Sequence, residues 1–261
     1  MVATLPPLNI KIYSQADAAA VYVANRIAAL ILDKQSKGEA AVLGLATGST
    51  PKKVYRHLVK LHQQAGLSFH NVYTFNLDEY YPIAPTHTNS YVRFMKEQLF
   101  DHVNIPEDHI FIPDGTLAPQ AIADHCQAYE QKIKDLGGID LQLLGIGRSG
   151  HIGFNEPGAT ADSTTRLVQL HELTRTDGIP DFGGIENVPT QALTMGVQTI
   201  SNAKKILLMA WGAHKAPIVK EALEGVVSNA IPASHLQTLQ KVEYILDGEA
   251  ARLLQPTKVF S

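Results

Sequence analysis

Cysteine is nearly absent. Cys126 stands alone in a chain of 261 residues, which excludes an internal disulfide and argues against a disulfide-built secreted scaffold. It falls in a helical stretch, where a packed bystander is expected rather than a nucleophile. Basic runs are missing as well: the formal net charge is −3, and nothing marks nucleic acid as a partner. No apolar run reaches the roughly 20 residues of a membrane span, so no membrane partner is expected. The N-terminus, MVATLPPLNI, lacks the charged start and long apolar region of a signal peptide, and the expectation is a cytoplasmic protein. Several chemical signatures are missing too. Without HExxH or a His/Cys cluster at ligand spacing, no metal site is expected. Without GxxxxGK[ST], no nucleoside triphosphate is implied. Ser149 is not in a GxSxG elbow, which counts against a serine hydrolase. GIGRSG has the form of GxGxxG but comes late in the strand series with no acidic ribose ligand, which counts against a dinucleotide. No cofactor is expected.

What the chain does have is an ordinary core, with 45% hydrophobic and 18% charged residues, and a steady alternation of strand and helix patterns. Strands are expected at Leu8–Tyr13, Ala40–Leu45, Val72–Leu77, Ile110–Ile112, Leu141–Ile146, Ile206–Ala210 and Val242–Leu246. The helices between them run from Ala16 (capped by Ser14, with an apolar face through Val21, Ile27, Leu30 and Ile31), Pro51 (capped by Thr50), Ser90, Pro119, Lys215 and Pro232. The fold class is α/β: one domain over 1–261, a three-layer sandwich with a mostly parallel, Rossmann-like sheet and helices on both faces. Residues 1–7 read as a loose tail. Residues 158–190, rich in Gly, Pro, Thr and Asp with weak periodicity, read as a long lid.

In such sheets ligands bind beyond the carboxyl ends of the strands, and the informative loops here all follow strands. Thr47, Gly48, Ser49 and Thr50 offer backbone N–H groups and hydroxyls at a helix start, a way to hold a phosphate; helix capping alone is an equal reading of that loop. Lys215 can pair with a phosphate at the same edge, although a lone lysine there is more often solvated. Asp78 stands one residue past an apolar strand, placed to act as a base, and since side chains alternate, its neighbour Glu79 should face away. The loop LLGIGRSGHIGFNEP brings His151 within five residues of Glu156, a pairing that can orient a histidine and keep it basic.

Taken together, LGLATGSTP, FNLDEYY, LGIGRSGHIGFNEPG, ALTMGVQTI and GAHKAPIVKEALEG resemble the glucosamine-6-phosphate deaminase family over roughly residues 10–247. GHIGFNEP with NLDEYY separates that family from the 6-phosphogluconolactonases, which share its fold and phosphate loop. The resemblance implies metal-free conversion of glucosamine 6-phosphate to fructose 6-phosphate and ammonia. Asp78 then matches the proton-shuttling aspartate, His151 the ring-opening histidine and Glu156 the carboxylate that assists it. Thr47 to Thr50 and Lys215 match the phosphate site. Two positions depart from the pattern. Ser149 stands where many members have Asp or Asn. No arginine aligns with the family's lid phosphate ligand, and Arg175 is the nearby substitute. Some members are hexamers activated by N-acetylglucosamine 6-phosphate through a serine, an arginine and a lysine; the matching residues here are Ala159, Arg166 and Val168. The resemblance leaves epimer preference and a homo-oligomeric state open. A related phosphosugar isomerase, a lactonase and a catalytically weak sugar-phosphate sensor are the competing readings.

Overall fold

A computed structural model describes residues 5–255 of the chain; residues 1–4 of the expected tail lie outside them. The elements follow in the order β1 (Asn9–Tyr13), α1 (Ala16–Ser36), β2 (Ala41–Leu45), α2 (Lys52–Ala65), β3 (Val72–Asn76), β4 (Asp78–Tyr81), α3 (Tyr91–Gln98), β5 (Ile110–Phe111), α4 (Ile122–Asp135) and β6 (Leu141–Leu144). Then come β7 (Arg166–Gln169), α5 (Glu172–Phe182), β8 (Gln191–Thr194), α6 (Val197–Asn202), β9 (Ile206–Ala210), α7 (Ala216–Glu224), β10 (Val242–Asp247) and α8 (Gly248–Ala251).

The main sheet has seven parallel strands in the order β1-β10-β9-β6-β2-β3-β5. Its strands read as near-continuous apolar runs because both faces are covered. Alternate residues go to opposite layers. Leu43 and Leu45 of β2, Leu207 and Met209 of β9, and Ile245 of β10 pack against Val23, Ile27 and Ile31 of α1 and Tyr55 and Leu58 of α2. Val42, Leu208, Tyr244 and Leu246 pack the other way, with Tyr129 and Ile133 of α4 and Val219 and Leu223 of α7. The expected three-layer α/β sandwich is therefore the observed one.

Strand order sets the position of the cleft. From β2 the chain winds outward through β3 to β5, whereas from β6 it winds the other way through β9 to β10. The loops after β2 and β6 thus emerge side by side where the winding reverses, which is where such sheets open a crevice.

Several local expectations need correction. Ser14 does not cap α1: Gln15 holds the N-cap position, with no side-chain hydrogen bond. Val21 points outward, and Val23 lies on the buried face in its place. Thr50 does not cap α2, whose N-cap is Pro51, again without a side-chain bond. Ser90 does cap α3, its hydroxyl accepting from the Arg93 N–H. The stretch expected as one strand through Leu77 breaks there. Asp78 opens β4 in a second, antiparallel sheet of order β4-β8-β7, in which Asp78 is opposite Thr194 and Thr194 is opposite Arg166. The lid stretch is also structured, containing β7 and α5. Helix α5 has poor intrinsic propensity, carrying Gly178 and an internal Pro180, so its order comes from tertiary contacts. Its last residue, Phe182, stacks on His87 and meets Tyr80 edge-on, with ring centroids 5.7 and 5.2 Å apart.

Candidate active site

A cleft of about 310 Å³ opens at the switch point, within the range of small-molecule sites. The predicted loops do meet there. Thr47 to Thr50, Asp78, Gly145 to Arg148, His151 and Lys215 all line it, and α5 adds Thr174, Asp177, Gly178 and Asp181. Loop 46–51 is fastened at both ends: the Tyr55 hydroxyl donates to the Ala46 carbonyl at 2.5 Å and the Trp211 indole N–H to the Thr50 carbonyl at 3.0 Å. The second bond ties this loop to the segment that carries Lys215. The Lys215 ammonium donates to the Ile146 carbonyl at 2.7 Å, and burial holds its pKa below the usual lysine value.

Asp78 is 5% exposed. Its carboxyl is pushed well above the ordinary range, first by burial and then by the charge of Glu79. The two carboxylates face apart, as strand alternation requires. Glu79 accepts from the N–H groups of Tyr80, Tyr91 and Val92 and so anchors the start of α3. Burial pushes its pKa up to about 7 despite those bonds. Gly153 (φ +57°) brings its backbone against Asp78: a Cβ there would sit 3.3 Å from the Asp78 carboxylate and 3.0 Å from the Thr194 hydroxyl. Tyr80 and Phe154 supply an aromatic wall, while Tyr81 turns away, its hydroxyl donating to the Leu117 carbonyl.

His151 is held from behind. Its Nδ1 lies 2.9 Å from the Ser149 hydroxyl and 3.3 Å from Glu156 Oε2. The Ser149 hydroxyl in turn donates to Glu156 Oε2 at 3.4 Å, so serine closes the triangle at the position where many family members place Asp or Asn. Burial raises the Glu156 pKa, but the His151 bond and charge and the His171 N–H outweigh it, and the net shift is downward. An ionised Glu156 only accepts, so Nδ1, which faces it, carries a proton, and Nε2 is the ring nitrogen left outside the pair. That nitrogen passes over Gly147: a Cβ at residue 147 would lie 2.0 Å from it. Glycine is required there to admit the ring.

Arg175, the expected lid contact, does not line the cleft. Its Nη2 donates to the carbonyls of Ile185 and Val188 at 2.7 and 3.3 Å, securing α5 to the following turn outside the cleft. Cys126 is buried in α4, away from the site. Arg148, Asp177 and Asp181 do line the cleft and were not singled out from the sequence. For Arg148 the signal was its place within the GIGRSG loop. The two aspartates had none, because α5 itself was not legible. Among the described residues, no group of three His, Cys, Asp or Glu side chains is arranged to hold a metal ion, and no helix is long and apolar enough to cross a membrane.

Residues 14–244 match the family described as glucosamine-6-phosphate isomerases/6-phosphogluconolactonase. A glucosamine-6-phosphate deaminase of Alkaliphilus oremlandii is 48% identical over 87% of this chain and 94% of its own length. A glucosamine-6-phosphate deaminase-like protein of Bacteroides thetaiotaomicron is 47% identical over 92% of this chain, which spans only 36% of that longer protein. A solved monomeric glucosamine-6-phosphate deaminase superimposes with a TM-score of 0.89 at 42% identity, covering 94% of this chain and all of the other. The chain belongs to the glucosamine-6-phosphate isomerase/6-phosphogluconolactonase family.

Proposed function

We propose that the protein converts glucosamine 6-phosphate and water to fructose 6-phosphate and ammonia; the relatives named glucosamine-6-phosphate deaminase support a deamination of this substrate. One observation carries the reading: a buried carboxylate, Asp78, shares a cleft with the His151–Glu156 pair and with a helix-start loop backed by Lys215. The backbone N–H groups of 47–50 and the Lys215 ammonium hold the phosphate. His151, through Nε2, moves the anomeric hydroxyl proton to the ring oxygen; the C1–O5 bond breaks and an aldehyde is left at C1. Asp78 takes the C2 proton while the substrate's ammonium gives a proton to the C1 oxygen, leaving an enolamine, and Asp78 then returns its proton at C1, giving the C2 iminium. Water adds to the iminium and ammonia leaves. Glu156 and Ser149 act through His151 by fixing its tautomer. A phosphorylated sugar does not cross membranes, which supports the cytoplasmic expectation. Equimolar release of ammonia and fructose 6-phosphate tests the assignment.

Lys215→Ala removes a charge-assisted contact and is expected to raise KM for the phosphorylated sugar about 10-fold. Steady-state kinetics check this, and an unchanged KM would leave the phosphate to the 47–50 loop alone.

Regulation by N-acetylglucosamine 6-phosphate is not expected. Arg166 is engaged, donating to the Asn155 side chain at 3.0 Å and the Thr164 carbonyl at 3.1 Å, and Ala159 and Val168 supply neither a hydroxyl nor a second cation. Each lost charged contact is worth about 1.5–3 kcal/mol, against the roughly 1–3 kcal/mol of a typical allosteric coupling. Initial-rate curves are expected to be hyperbolic with or without that ligand; a sigmoidal curve that it straightens would contradict this.

A further inference from the structure

We propose that Arg148 is the second cation of the phosphate subsite, and that Asp177 holds its guanidinium until the substrate phosphate displaces it. The inference rests on the reading of the cleft as a phosphosugar site. It starts from a gap: the arginine expected from the lid, Arg175, is committed to two backbone carbonyls. Among the described residues lining the cleft, the permanent cations are Lys215 and Arg148. They come from adjoining loops, and the charges of Arg148 and Asp177 both act on the Lys215 ammonium, so the three groups share one electrostatic neighbourhood.

Arg148 grips Asp177 with two prongs, Nε to Oδ2 at 3.0 Å and Nη2 to Oδ1 at 2.6 Å. The planar fork that fits two carboxylate oxygens also fits two phosphate oxygens. The two side chains are 50% and 46% exposed, and a pair this wet is held weakly. A phosphate, with a charge of about −1.5 to −2, competes favourably with a single carboxylate for the same fork. Asp177 thus keeps the guanidinium ordered in the empty cleft and opposes phosphate entry by its own charge. It is a positioning residue, while Arg148 touches the ligand.

This arrangement predicts opposite signs for two neutralising substitutions, which a purely structural clasp would not give. The test is calorimetric binding of inorganic phosphate to the full chain, alongside kcat and KM for glucosamine 6-phosphate. Arg148→Ala is expected to weaken phosphate binding and raise KM about 10-fold, with kcat changed much less. Asp177→Asn, which removes the competitor, is expected to tighten phosphate binding about 2- to 5-fold. Arg148→Lys should recover part of the loss, since it keeps the charge but not the fork. An Arg148→Ala variant with unchanged phosphate affinity and KM would overturn the proposal. So would equal weakening by both neutralising variants, or a wild-type chain that binds no phosphate. Opposite shifts in phosphate affinity in a chain that releases no ammonia would uphold this inference while removing the proposed reaction.

Discussion

Asp78→Asn lowers kcat by at least ~100-fold, the usual scale for losing a positioned general base. The substitution preserves the shape of a side chain packed against Gly153 and Thr194 and removes only its capacity to take a proton. Exchange of the C2 proton with solvent falls in parallel, and exchange at the wild-type rate would contradict the assignment. The acid limb of kcat/KM carries a second signature of the same group. Asp78 works only when ionised, so activity is lost as pH falls through its pKa. Burial and the Glu79 charge raise that pKa, placing the limb above the ordinary aspartate range near about 3.9. Neutralising Glu79 as Gln removes one of the two causes and moves the limb to lower pH. A limb that stays in place would assign the titration to another group.

His151→Gln separates ring opening from isomerisation. Turnover of the cyclic sugar falls about 100-fold, the scale of a lost acid–base catalyst. Binding of an open-chain aminoglucitol phosphate changes far less, because that ligand needs the phosphate subsite and Asp78 but no ring opening. Gly147→Ala gives the same split by another route, since its added Cβ overlaps the imidazole and displaces it without altering its chemistry. Equal losses for cyclic substrate and open-chain ligand would make His151 structural.

Where local pattern and burial agreed, the chain was legible. The parallel strands announced themselves as apolar runs because helices cover both faces of the sheet, and the loops after them carried the chemistry. Asp78, His151, Glu156, Lys215 and the 47–50 loop all fell where strand ends placed them. What escaped was organised by contacts distant in sequence. Strand β4 follows β3 after a single residue and changes sheets, which no periodicity announces; pairing with β8 decides it. Helix α5 contains Gly178 and Pro180 and looks like a loop until Phe182 docks on His87 and Tyr80. Arg175, on the lid, stays out of the cleft, whereas Arg148, on the glycine loop, lines it together with Lys215.

The most direct test of the central claim is one assay with three substrates. Purified protein is given glucosamine 6-phosphate, galactosamine 6-phosphate and 6-phosphogluconolactone separately, and ammonia, ketose phosphate and free acid are measured. The account predicts ammonia and fructose 6-phosphate in equal amounts from glucosamine 6-phosphate, and no acceleration of lactone hydrolysis. Lactone hydrolysis without ammonia release from either aminosugar would contradict it.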